Sequence, residues 1–163
     1  MTHALNRIFV FVTAAMMFGG CSATHIPNTT VVDNGENREV IAFVETYRHA
    51  VESANVRQLL ELAGERYYDD AGTPNGDDDI DIDGLRENLA AWAELVIDCR
   101  YEIRYREVVY QPDQRIHVTY RYTGSFRVAD AEGAERWQRR VGDNRLVLVR
   151  GPEGQGFRIL SGM

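Results

Sequence analysis

Residues 98–128 read DCRYEIRYREVVYQPDQRIHVTYRYTGSFRV. Tyr101, Ile103 and Tyr105 alternate with Arg100, Glu102, Arg104 and Arg106. Beyond Pro112-Asp113, Ile116, Val118, Tyr120 and Tyr122 alternate with His117, Thr119 and Arg121. A period of two is the repeat of a pleated strand, whose successive side chains point to opposite faces. Pro-Asp is a turn signal. The stretch therefore predicts two long antiparallel strands with one aromatic, apolar face and one charged face. Phe126 and Val128 continue the apolar face, and Gly124 between them predicts a bulge or bend.

Downstream, a turn near Glu132-Gly133 leads to Trp137 and a third strand through Leu146 and Leu148, with a kink expected at Gly142-Asp143. Residues 152–156 turn the chain into a last strand at residues 157–161. Upstream the period changes. Val40, Phe43, Val44, Tyr47, Val51 and Ala54 recur at three- and four-residue steps, the signature of an amphipathic helix. Asn55 is placed to cap a second, shorter helix through Leu59, Leu60 and Ala63, stopped by Gly64. Residues 66–83 read as an acidic loop, and Asp83 or Gly84 opens a third helix with Leu85, Leu89, Trp92 and Val96 on one face. The order predicts an α+β domain: three N-terminal helices packed on a curved antiparallel sheet of about four to six strands.

The chain has 163 residues, and all 18 of its basic residues are arginine. Residues 1–20 hold one of these (Arg7) and no acid, so the remainder sets 17 basic against 25 acidic residues, a net charge of −8. That charge repels a phosphate backbone, which argues against nucleic-acid binding. It also keeps the body off anionic lipid. The two cysteines are Cys21 and Cys99; Cys99 lies in the alternating stretch and reads as a buried, inert thiol.

The first residues speak of cellular address. Residues 8–18, IFVFVTAAMMF, form an apolar run of signal-peptide length, too short for the ~18 or more residues of a bilayer span. Small Gly19 and Gly20 then precede Cys21. Phe18-Gly19-Gly20-Cys21 resembles the bacterial lipobox, departing from it at Phe18, where leucine is usual. The resemblance implies cleavage before Cys21, lipid on its sulfur, and anchoring in the cell envelope by two or three acyl chains. With Ser22 next, it implies the outer membrane in a Gram-negative cell. Residues 1–20 are thus expected to be a lipoprotein signal peptide, residues 21–36 a lipidated cysteine and flexible tether, and residues 37–163 the folded domain.

Four features of that domain together resemble the nuclear-transport-factor-2-like superfamily: the helix pair, Tyr67-Tyr68-Asp69-Asp70 before the acidic loop, the helix start at Gly84-Leu85, and the final strands Asp143-Asn144-Arg145-Leu146-Val147-Leu148-Val149 and Phe157-Arg158-Ile159-Leu160-Ser161-Gly162. The resemblance implies a cone with a pocket at its open end, for which Tyr47, Tyr67, Trp92, Tyr101, Tyr120 and Tyr122 are the candidate lining. Aromatic walls suit a small apolar or amphipathic ligand. The same residues, at helical or strand spacing, also read as plain core.

In ketosteroid isomerases of this superfamily an aspartate general base follows the second helix, and Asp69 or Asp70 stands at the equivalent place. Such a base needs a facing oxyanion donor. Asp79, Asp81, Asp83 and Gly84 match the first half of a calcium loop, whose alternating carboxylates converge on a hard cation. Position 12 of that loop is Ala90, so a complete EF-hand is excluded. A weak Ca2+ site and a solvated loop ending in a helix cap both remain open. No histidine has a partner at zinc or triad spacing.

The favoured reading is a membrane-anchored, non-catalytic envelope lipoprotein whose cone binds a small ligand or a protein partner and needs no cofactor. The alternatives are an isomerase, cyclase or dehydratase using Asp69 or Asp70, and a calcium-dependent binding protein. Arg104, Arg106, Thr119, Arg121 and Arg127 populate the outer sheet face, where a homodimer would form.

Overall fold

The computed structural model describes residues 24–74, 76–129, 133–154 and 156–163. The expected leader, Cys21 and Glu132 of the expected turn lie outside the described residues. In chain order the elements are α1 (Gly35–Glu52), α2 (Val56–Leu62), β1 (Tyr68–Asp69), β2 (Ile80–Asp81), α3 (Ile82–Leu95), β3 (Val96–Tyr110), β4 (Ile116–Ala129), β5 (Glu135–Arg150) and β6 (Phe157–Ser161). The last four make one antiparallel sheet in the order β3-β4-β5-β6, and β1 pairs with β2 in a separate ribbon. This is the α+β arrangement expected from the change of period: three helices against a curved meander.

The core forms where the apolar faces meet. Val40, Val44 and Ala50 of α1 and Leu59 of α2 are fully buried, as are Val118 and Tyr120 of β4, Leu146 and Leu148 of β5, and Phe157 and Ile159 of β6. Withdrawing each larger apolar side chain from water contributes ~1.5–3 kcal/mol. The faces are also tied by polar contacts. Tyr105 donates its hydroxyl to Glu45 Oε1 at 2.5 Å, and Arg48 Nη1 donates to the Tyr101 carbonyl at 3.2 Å. Cys99 is buried, and burial pushes its thiol up to about 11, consistent with inertness.

Several local expectations are revised. Part of the segment read as a tether is held against the domain. Val31 is buried, and Thr30 donates both its N–H to the Tyr105 carbonyl (3.3 Å) and its hydroxyl to the Arg106 carbonyl (2.7 Å). Successive carbonyls alternate sides in a regular strand. Both reach Thr30 because the register shifts between Tyr105 and Glu107, a bulge on the sheet's edge. Helix α1 begins at Gly35, because Asn34 caps it by accepting from the Asn37 N–H at 2.8 Å.

The third helix likewise starts earlier than expected. Its cap is Asp81, which accepts from the N–H groups of Asp83 and Gly84. Gly124 sits at no bulge, and β5 runs unbroken through Gly142-Asp143. Both glycines make room for rings: a Cβ on Gly124 would lie 2.6 Å from the ring of Phe126, and one on Gly142 would lie 3.0 Å from that of Tyr122.

Candidate ligand-binding site

The inner face of the β4–β5 hairpin changes character along its length. On β4, Ile116, Val118 and Tyr120 are buried, whereas Tyr122, Phe126 and Val128 are only half-buried. On β5 the same face runs Leu148, Leu146, Asn144, Gly142, Arg140, Gln138, Arg136, from buried to exposed. The cause lies in the lengths of the elements. Strand β6 pairs only with Val147–Arg150 of β5, and the buried side chains of α1 and α2 fill only that end of the cone. The far half of the hairpin curls over open space.

That space is a cavity of about 560 Å³. Its floor is Tyr47 of α1 and Tyr101 of β3, and one wall is Trp92 and Leu95 of α3. The opposite wall is Tyr122, Phe126 and Val128, and the rim is Arg136, Gln138 and Arg140, with Asn144 and Met163 at the inner end. Tyr101 and Tyr122 stack, with ring centroids 5.6 Å apart and planes at 25°. Beneath them, Asn144 Nδ2 donates to the Tyr120 hydroxyl at 3.2 Å and to the Gly162 carbonyl at 3.0 Å. Burial holds the phenols of Tyr47, Tyr101 and Tyr120 well above the ordinary tyrosine range. Each is a neutral hydrogen-bonding group at physiological pH.

Of the six aromatic candidates, Tyr47, Trp92, Tyr101 and Tyr122 line this cavity and Tyr120 lies directly behind it. Tyr67 does different work: its hydroxyl accepts from the Met163 N–H at 3.2 Å. Asp69 belongs to the same clasp, accepting from the Gly162 N–H at 2.7 Å and from the Ala71 N–H at 3.1 Å. Asp70 is exposed and closes a turn by accepting from the Gly72 N–H. Neither carboxylate is on the cavity wall.

The three calcium-loop aspartates part company. Asp79 accepts from the Tyr68 hydroxyl, Asp81 caps α3, and Asp83 pairs with Arg86. The chain turns from β2 into α3 between them, so their carboxylates diverge. Among the described residues no three His, Cys, Asp or Glu side chains cluster to hold a metal. On the outer sheet face Arg106 is paired with Asp143 at 3.1 Å and Arg127 with Glu135 at 2.8 Å, while Arg104 and Arg121 stand exposed.

The rim residues Arg136, Gln138 and Arg140, and Asn144 at the inner end, were absent from the expected site residues. A signal for them existed: counting back by twos from Leu148 and Leu146 reaches each of them on the same face. Their polarity hides the pattern, because an inner face is usually sought by its apolar residues.

The geometry agrees with solved structures. A ketosteroid isomerase-like protein from Erwinia carotovora atroseptica SCRI1043 superposes with a TM-score of 0.60 at 18% identity, over 78% of this chain and 93% of that one. ActVI-ORFA from Streptomyces coelicolor gives 0.59 at 17%, over 79% and 95%. A dehydratase candidate of the NTF2-like family from Streptomyces avermitilis gives 0.58 at 12%, over 78% and 93%. The fold is the nuclear-transport-factor-2-like cone. No protein-family model matches the sequence, and no curated protein matches it. Identities this low speak for the cone fold alone, and the cone supports many chemistries.

Proposed function

We propose that this chain is an envelope lipoprotein whose nuclear-transport-factor-2-like cone binds a small, largely apolar ligand without transforming it. The observation that carries the reading is the composition of the wall. Aromatic rings, neutral amides and two guanidiniums line the cavity, and among the described residues no Asp, Glu, His, Cys or Ser joins them. An enzyme of the ketosteroid isomerase kind needs a base within hydrogen-bond reach of its substrate. The buried tyrosines hold their protons too firmly to serve, and Asp69 is engaged by the Gly162 amide.

A second reading, a small-molecule isomerase, cyclase or dehydratase, draws on the neighbours described as isomerase-like or dehydratase. It also draws on Asp69, which binds the residue before Met163 of the cavity wall. One variant separates the two. Trp137 lies on the outer sheet face beneath Arg100, so Trp137→Phe leaves Trp92 as the sole tryptophan. In that background the apolar fluorophore N-phenylnaphthylamine is expected to bind and to accept energy from Trp92. Asp69→Asn should lower the melting temperature and leave this binding within about twofold, because Asp69 touches the clasp and not the ligand. Absence of energy transfer would reject the binding pocket. A stably folded Asp69→Asn protein that had lost turnover of an added ketone or hydroxy-ketone would favour the enzyme.

A further inference from the structure

Arg136 and Arg140 sit on the inner face of β5, on either side of Gln138, at the cavity rim. Their place on an aromatic cavity is what distinguishes them. The protein carries 25 acidic residues against 18 basic ones, yet among the described residues no carboxylate lines this cavity. Arg38, Arg48, Arg57, Arg86, Arg106, Arg115, Arg127 and Arg150 each lie within ion-pair distance of an acid; Arg136 and Arg140, like Arg66, Arg100, Arg104, Arg121, Arg139, Arg145 and Arg158, have no such partner among the described residues, and of these only Arg136 and Arg140 face the cavity. In a chain of net negative charge, the cavity thus sets a positive rim over an aromatic floor. A concave site walled by low-dielectric rings focuses the field of such a rim on whatever enters.

We infer that the cone selects a flat apolar ligand bearing one acidic group, a carboxylate or sulfonate, with its rings between Trp92 and Tyr122 and its anion on the guanidiniums of Arg136 and Arg140. The inference rests on the binding reading above and specifies its ligand class. Guanidinium presents a planar fork of N–H donors that matches two anion oxygens, and such charge-assisted bonds are stronger than neutral ones. Gln138 between the two arginines supplies a neutral donor that an acid satisfies and a hydrocarbon leaves unpaired. The rings make no such demand, so they hold acid and neutral ligands alike. The anion preference resides in the rim.

The test uses the full chain with Trp137→Phe and two probes that differ only in the acid: anilinonaphthalene sulfonate and N-phenylnaphthylamine. Energy transfer from Trp92 reports probe bound near α3. The sulfonate should bind roughly tenfold tighter than the neutral amine, and the Arg136→Gln/Arg140→Gln double variant should erase that advantage while leaving the amine within about twofold. High salt should weaken only the sulfonate. Both arginines are exposed, so the variant should melt with the parent; Arg139→Gln on the outer face should change nothing. Equal affinities, or a preference that survives the double variant, would overturn the anion subsite and leave the pocket standing. No transfer with either probe would overturn the pocket itself.

Discussion

Gly162 shows how much a single position can hold. Its φ is +93°, and a Cβ there would lie 2.1 Å from the Arg145 carbonyl oxygen, a backbone atom that cannot step aside. Its N–H donates to Asp69 and its carbonyl accepts from Asn144, which also binds Tyr120 behind the cavity floor. The clasp thus joins the last strand, the segment after α2 and the binding site. Gly162→Ala is expected to destabilise the fold by ~2–3 kcal/mol through strain and displaced backbone, read as a lower urea midpoint with an unchanged slope. Gly133→Ala provides the comparison: its φ is +82° but a Cβ would meet nothing within 4 Å. It should cost only ~1 kcal/mol, since conformational strain acts there without a clash. Equal losses at the two positions would show that contact with Arg145 carries no weight.

Helix α1 and strand β3 are joined through Glu45. Burial raises its carboxyl, but hydrogen bonds from Tyr105 and Arg48 outweigh this and hold it below the ordinary glutamate value. A carboxylate depressed in the folded state stabilises the protein above its unfolded pKa, and the benefit is lost as pH falls through the folded one. Stability should therefore decline from below about pH 5 into the acid range. Glu45→Gln should flatten that decline while lowering stability near neutral pH. An acid limb identical in the variant would assign the pH dependence to other carboxylates. The same two elements carry Tyr47 and Tyr101 to the cavity floor, so loosening their contact should also broaden ligand binding.

The sequence of the whole molecule sets an apolar run and Gly19-Gly20-Cys21 before an acidic cone. A protein with a net charge of −7 gains nothing from anionic lipid surfaces. No helix of the described residues is long and apolar enough to cross a membrane. If the proposed lipidation of Cys21 holds, membrane association should depend on that residue. Expressed in a bacterium that processes lipoproteins, the chain should sediment with membranes, and Cys21→Ala should move it to the soluble fraction or leave it as uncleaved precursor. Wild-type protein whose mass lacks acyl groups would remove the anchor.

Periodicity alone carried much of this fold. Alternation through Tyr101, Ile103, Tyr105, Ile116, Val118 and Tyr120 specified the hairpin, and three- and four-residue spacing in α1 specified its buried face, because both patterns are local consequences of backbone geometry. Asn55 as a cap and residues 157–161 as the last strand were legible for the same reason. The cavity was not. Whether Tyr122 is core or wall depends on how far α1, α2 and β6 extend across the sheet, and that is settled by packing between segments remote in the chain. The roles of Asp69, Gly124 and Gly142 follow from the Gly162 amide and from two aromatic rings, neighbours supplied by folding. Arg136 and Arg140 combine both cases: their face was readable by counting in twos, but their freedom from acidic partners arises only from the arrangement of charges in space.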